Sequence, residues 1–395
     1  YLLLWIAGWS WHLSFWTWPI ISGYLIFQMT GSVLLTQFVG VIFTGPLLVL
    51  GIFIGTLNDT VSRKKLLGIA WATDIGISVA LGLLVLLDSV QTWHVLTITG
   101  CMGITHAFDI TTRRVFVSDV AERQYLPFAY TLEGLSMTGS MMAGPWIGGM
   151  LIHVLPLGAS GVGAPYIFMV FGFTVAVILL RRVTPFKIQE SLPLDFRSAF
   201  NRTIQSVTAL RKNRVVVGGL GVTILWNLFF ASYQPLIPIF AEDVLNVGPV
   251  LMGLLGGAQG GGALLGSVLI VTRRSIKRSY PYYVFGTLLS LGGLFIFSLS
   301  DYYALSFASL FIAGIGMAGF VAMQPVIVLT TVDSAHRGRA MGALSMAIGA
   351  LPVGMFLVGV LASNIGPSRA VTITSLCGCI SVLLWAWKFN EMRRV

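Results

Sequence analysis

Five ionisable side chains lie well inside long apolar stretches of the chain: His12, Asp74, His106, Asp109 and Glu133. Such groups are expensive in a low-dielectric solvent, and where they occur there they usually serve a function. A carboxylate loses its charge on protonation and an imidazole gains one, so either type can take up and release a proton. All five fall in the first half of the chain. The second half offers only neutral polar groups in comparable settings, among them Asn227, Gln234, Gln259 and Gln324. If the protein is coupled to protons, the proton site is expected in the first half, and the second half would then contribute mainly to substrate contact and gating.

Asp109 stands four residues before Arg113, and His106 three before Asp109, so on a helix the three share a face. Two roles fit this spacing. One is a protonatable dyad. The other is an ion pair of Asp109 with Arg113 or with Arg63, holding a cytoplasmic gate and breaking as the protein changes shape. Glu133 lies roughly 9 Å into its own apolar stretch at the usual helical rise. It suits a proton carrier or a partner for arginine. Asp74 lies deeper and has no basic residue nearby in sequence. Trp5, Trp9, His12 and Trp16 recur at helical spacing, which puts them on one face with His12 near the middle of the stretch. Such a stripe reads as a cavity wall able to stack on aromatic or cationic ligands, or as packing against a neighbouring helix. Trp226, Asn227, Phe230, Tyr233 and Gln234 form a second set, and with Gln324 they complete the substrate-cavity candidates.

Apolar stretches long enough to span a bilayer must carry these residues. Of the 395 residues, 56% are hydrophobic and 10% charged, so lipid is the expected solvent for most of the chain. Spans are expected at 1–27, 33–57, 66–88, 92–112, 127–153 and 163–181, then at 214–240, 249–271, 280–299, 302–330, 339–364 and 369–388. With the first span running outward, all of the 24 Lys and Arg residues but Arg369 fall on the cytoplasmic side. That asymmetry places both termini in the cytoplasm. It also disposes of nucleic acid as the partner implied by the net charge of +10. The polar connection 182–213 separates six spans from six. The expected organisation is thus a six-helix bundle over 1–181, a cytoplasmic linker over 182–213 with a surface-lying amphipathic stretch from about 195 to 211, and a second bundle over 214–395. Cys101, Cys377 and Cys379 read as packing residues within apolar segments.

The hairpin GTLNDTVSRKKLL at 55–67 resembles the signature loop between helices 2 and 3 of the major facilitator superfamily, with Gly55, Leu57, Asp59, Arg63 and Lys64 matching. Its counterpart in the second half, GSVLIVTRRSIKR at 266–278, keeps the basic cluster and lacks the aspartate. The segments 29–51, 235–267 and 336–344 resemble the enterobactin-exporter and macrolide-efflux branch. GPWIGG at 144–149 resembles the core of the motif associated with antiporters, with Ser140 and Thr131 where that motif carries glycine. The resemblance implies an all-α integral membrane fold of twelve helices in two pseudo-symmetric halves, with helices 1, 4, 7 and 10 lining a central cavity. It also implies a secondary active exporter of drug- or siderophore-like amphiphiles, driven by proton antiport in the inner membrane. Gly55, Asp59, Arg63, Lys64 and Arg113 would form the cytoplasmic gate. An importer or facilitator and a lipid flippase are the alternatives, and a sensor that transports nothing is a third.

No phosphate-binding glycine loop followed by lysine, zinc-binding His-Glu pattern or nucleophile elbow occurs in the sequence. Neither enzyme chemistry nor a cofactor is expected, the proton gradient supplying the energy. The expected partners are a small-molecule substrate and the bilayer, and the expected state is a monomer.

Overall fold

A computed structural model describes residues 1–58, 60–158, 160–185, 213–272, 278–332 and 337–394. The described residues are overwhelmingly helical. In the first half the helices are α1 (Leu2–Thr30), α2 (Val33–Leu57), α3 (Arg63–Leu86), α4 (Thr92–Val120), α5 (Leu126–Val154) and α6 (Gly163–Arg181). In the second half they are α7 (Arg214–Phe229), α8 (Pro249–Val271), α9 (Ser279–Ser298), α10 (Tyr303–Thr330), the pair α11a (Arg337–Ile348) and α11b (Leu351–Ile365), and α12 (Pro367–Lys388). The chain is an all-α integral membrane protein of twelve spans in two six-helix halves. Among the described residues nine helical segments meet simple criteria of length and apolarity for crossing a membrane. The spans outside that set are α1, α4 and α5, each 29 residues long and therefore long enough. They carry four of the five ionisable candidates.

Three segments differ from the sequence expectation. The fourth span, expected to end at 112, continues to Val120, because Thr111 to Val120 contains neither glycine nor proline. Arg113 is consequently buried within a helix, where a cytoplasmic connection was expected. The seventh span leaves α-helical geometry after Phe229 and proceeds through a 3-10 turn (Ala231–Leu236) and a π turn (Phe240–Val244). Pro235 and Pro238 cannot donate backbone hydrogen bonds and so interrupt the ladder there. The stretch expected as one helix at 339–364 is broken between Ile348 and Leu351. Pro352 would clash with the carbonyl four residues earlier, that of Ile348. Asp59 and the amphipathic stretch 195–211 lie outside the described residues.

The chain forms two compact units: Tyr1–Gly31 with Ile42–Arg197 and Val247–Gly257, and Ser32–Val41 with Ser198–Asn246 and Ala258–Val395. In the first unit α1 packs along α5 and α6, while α3 packs on α4 and α6. In the second, Asn213 caps α7 by accepting from Val215 N and Val216 N, and donates to Thr331 O at 2.9 Å. Large apolar side chains such as Leu383, Leu384 and Phe285 are exposed on the outside of the helices, as a lipid-facing surface requires. The exposed rings of Trp93 and Tyr302 stand at helix starts, where amphipathic aromatics suit the membrane interface.

Small residues set the helix spacing in the second unit. A β-carbon on Gly262 would meet the Phe311 carbonyl oxygen, and one on Gly314 would meet the Gln259 carbonyl oxygen. α8 and α10 are therefore in backbone contact, which only glycine permits. Gly314→Val is expected to cost about 1–3 kcal/mol of stability by overpacking. Alanine at Gly292, where a β-carbon would find open space, should be tolerated. The melting midpoint of the detergent-solubilised protein distinguishes the two.

Candidate functional site

The polar centre of the first unit is built around one guanidinium. Arg113, on α4, is 8% exposed. Its Nη1 lies 3.1 Å from Glu133 Oε2 on α5, and its Nη2 lies 3.0 Å from Asp109 Oδ2 one turn back on α4. The Asp109 contact is close enough for strong attraction but poorly aligned as a hydrogen bond. The same guanidinium reaches both ring nitrogens of His12 on α1, Nη2 to Nε2 and Nη1 to Nδ1. It also lies 5.5 Å from the centroid of the Trp11 ring. Gly8 leaves the room for it, since a β-carbon there would sit 3.1 Å from Nη1.

The contacts of His12 constrain its tautomer. A guanidinium only donates, so the ring nitrogen facing it must accept, and a neutral imidazole has one acceptor nitrogen. Nδ1 is 2.9 Å from Ser136 Oγ on α5. In the tautomer that serves the closer contact, Nε2 accepts from Arg113 Nη2 and Nδ1–H donates to Ser136, which leaves the 3.2 Å approach of Nη1 to Nδ1 as a contact and not a hydrogen bond. His12 is thus placed as an orienting group for Arg113 rather than as a lone ionisable residue in a cavity wall.

Two buried indoles complete the centre. Trp71 Nε1 donates to Asp109 Oδ1 at 2.9 Å, and Trp11 Nε1 donates to Asp74 Oδ2 at 2.8 Å. The two rings stack with centroids 6.2 Å apart. Asp74 and Asp109 are each fully buried. Glu133 is the most accessible of the three carboxylates, with 15% of its side chain exposed, and the Tyr1 hydroxyl lies 3.3 Å from its Oε1. His106 stacks on Phe15 at 4.2 Å, and its Nδ1 is buried without a partner. It stands beside the cluster as part of an aromatic wall and makes no ion pair with Asp109.

The basic signature residues are placed differently from expectation. Arg63 pairs with Asp119 in the last turn of α4, its Nη1 at 2.8 and 2.9 Å from the two carboxylate oxygens, and not with Asp109. The extension of α4 by two turns brings Asp119 there. Lys64 Nζ donates to Arg181 O and Val183 O, tying the start of α3 to the end of α6. Gly55 lies in the last turn of α2.

In the stripe on α1, Trp5, Trp9 and Trp16 are partly exposed. Trp5 donates to Leu132 O at 2.9 Å and meets Trp9 edge-on at 5.1 Å, while the Trp16 indole nitrogen has no partner. In the second unit Trp226 stacks on Phe320 at 4.4 Å and its buried indole nitrogen is likewise without a partner. Around it Tyr233 donates to Gln259 Oε1 at 2.7 Å, with Gln234 Nε2 at 3.4 Å from the same oxygen. Gln324 Nε2 donates to Thr223 Oγ1 at 3.2 Å, and Asn227 donates back to the Thr223 carbonyl. This centre is aromatic and neutral. Trp11, Trp71, Ser136 and Asp119 escaped the sequence reading. Trp11 falls off the Trp5–Trp9–His12–Trp16 face, and tryptophan–carboxylate pairing across helices leaves no local spacing to detect.

Residues 2–353 match the model of the Major Facilitator Superfamily. The chain belongs to that superfamily. It is a transporter, not an enzyme. None of the curated protein sequences matches it. Among solved structures, a bacterial homologue of the human lysosomal transporter Spinster is similar at a TM-score of 0.74 and 15% identity, covering 99% of this chain and 98% of the other. A POT family transporter in complex with a thioalcohol-conjugated peptide is similar at 0.72 and 11% identity, covering 99% and 96%. The nucleoside transporter NupG is similar at 0.68 and 12% identity, covering 99% of each chain. At these identities the likeness is one of fold.

A guanidinium removed from between two buried carboxylates leaves them uncompensated. Arg113→Met is expected to destabilise the protein by about 3–5 kcal/mol. Adding Asp109→Asn and Glu133→Gln to it should recover a large part of the loss, measured as the melting midpoint in detergent.

Proposed function

We propose that this superfamily member is a proton-coupled secondary transporter that exports small amphiphilic molecules from the cytoplasm across the inner membrane, with both termini cytoplasmic. The observation that carries the reading is the shared guanidinium. Two carboxylates compete for one Arg113 in a setting where an uncompensated charge is costly, so the cluster favours holding one proton between Asp109 and Glu133. Glu133, the more accessible, is the exchange point, and Asp109, clamped by Trp71, is its internal counterpart. His12 and Ser136 orient Arg113 between them. A change in helix packing that separates α4 from α5 alters the sharing and so the proton affinity, which is the coupling an antiporter needs.

Substrate recognition falls to the aromatic and amide groups. Trp226 offers a ring face and a free indole donor, with Tyr233, Gln234, Asn227 and Gln324 nearby on the same unit; Trp9 and Trp16 offer partly exposed rings on the other. Apolar surfaces with a few unspent donors suit amphiphiles of varied shape. The antiporter-like GPWIGG segment and the positive-inside pattern support the direction and orientation.

The test is transport of a fluorescent lipophilic cation by the protein in liposomes under an imposed pH gradient. Wild type should move the cation against the proton gradient, with loss of movement on adding a protonophore. Glu133→Gln and Asp109→Asn should each fall to the level of empty liposomes in gradient-driven transport. Trp226→Ala should raise the half-saturating concentration while leaving the dependence on the gradient in place. Movement of the cation indifferent to the gradient, in wild type and both carboxamide variants alike, contradicts the coupling.

A further inference from the structure

We propose that Asp74 is a second proton-binding site of the first unit, occupied as a neutral carboxylic acid and separate from the Arg113 cluster. Its use in transport rests on the proton-exchange reading; its occupancy rests on the geometry alone. Asp74 is fully buried on α3. Among the described residues no Lys or Arg forms an ion pair with it; Arg113 is committed to Asp109, Glu133 and His12. An ionised carboxylate in that position would pay a desolvation cost of several kcal/mol with no compensating cation.

Only one of its two oxygens has a fixed N–H donor. Oδ2 accepts from Trp11 Nε1, while Oδ1 is buried with no partner. Ser78, one turn further along α3 and fully buried, also has a hydroxyl with no partner, and that spacing puts it on the same face. The Thr105 hydroxyl, from α4, is within hydrogen-bonding reach of the carboxyl and lies 2.9 Å from Met102 O, so it can donate to the carboxyl or, with its hydrogen on Met102 O, accept from it. A proton on Oδ1 makes that oxygen a donor, with the Thr105 hydroxyl as an acceptor within reach, and it leaves Oδ2 as the carbonyl oxygen that accepts from the indole.

The ionisable groups on the packed elements agree with this. On α1 the nearest is His12, neutral by its own hydrogen bonds. On α4 they are Asp109, whose charge disfavours a second anion, His106, stacked among aromatic rings, and Arg113; the following Arg114 is exposed. α6 carries only Tyr166 and its terminal Arg181, which stands at the Lys64 end. Three carboxylates against one buried guanidinium make the centre neutral with two protons, one shared between Asp109 and Glu133 and one on Asp74. The stacked Trp11 and Trp71 rings hold the two sites apart, each donating to one of them.

Infrared spectroscopy of the full chain in liposomes, in H2O and D2O, reads protonated carboxyl groups directly through their C=O stretch. At neutral pH in sodium-free buffer, one component of that band should vanish in Asp74→Asn and persist in Asp109→Asn/Glu133→Gln. Trp11→Phe should keep the component and move it to higher frequency, because the carbonyl loses its indole donor; this variant carries the test should the Asn variant fail to fold. A wild-type band unchanged by both Asp74→Asn and Trp11→Phe would overturn the proposal. So would loss of the component on adding sodium at constant pH, which would make Asp74 a sodium ligand. The spectra are independent of transport, so a lost pH-gradient response with this component intact counts against antiport alone.

Discussion

A single guanidinium in a low-dielectric interior constrains the first unit of this transporter. A buried guanidinium must be matched by anions or be driven out to water. α4 supplies one match from its own preceding turn, Asp109, and α5 supplies the other, Glu133. The remaining contacts of the cluster follow from that commitment. Gly8 makes space on α1, His12 turns a lone pair toward the guanidinium, Ser136 holds the imidazole, and Trp71 fixes the far oxygen of Asp109. Four helices thereby meet at one charge, and the excess of acid over base at that point is what the proposed proton exchange rests on.

The second unit follows a different rule. Its interior polar groups are amides, hydroxyls and an indole, each of which can be satisfied locally or by a ligand at modest cost. Tyr233, Gln259 and Gln234 satisfy one another, while Trp226 keeps its donor unspent. The ionisable cluster and the neutral aromatic and amide groups thus lie mainly in different halves of the chain, although Trp9 and Trp16 place partly exposed rings in the first as well.

Most of the fold was legible in the sequence because lipid imposes a coarse and strong pattern. Each span needs a long apolar run, and the basic residues between runs mark one side of the membrane. The departures occur where local backbone chemistry overrides that pattern. Pro352 breaks a run that hydropathy reads as continuous, Pro235 and Pro238 alter the helical type within another, and α4 continues for two turns past Thr112, through the Arg113–Arg114 pair. The last departure decides the site, since it buries Arg113 and delivers Asp119 to Arg63. The ionisable residues could be named from sequence, because an acid in an apolar run is conspicuous, and the pairing of Asp109 with Arg113 follows from a four-residue spacing. The partners on other helices could not. Trp11 to Asp74, Trp71 to Asp109 and Arg113 to Glu133 span separations that only the packed bundle closes.

In the proposed coupling, helix repacking that accompanies cargo binding lowers the proton affinity of the Arg113 cluster. Proton release on ligand binding tests it most directly: tetraphenylphosphonium is added to the purified protein in weakly buffered detergent solution, and a pH-indicating dye follows the bulk. The account predicts release of protons in proportion to the cation bound, and no release from a variant carrying both Asp109→Asn and Glu133→Gln that still binds the cation. Binding of the cation by wild type without any release of protons across the neutral range would contradict it.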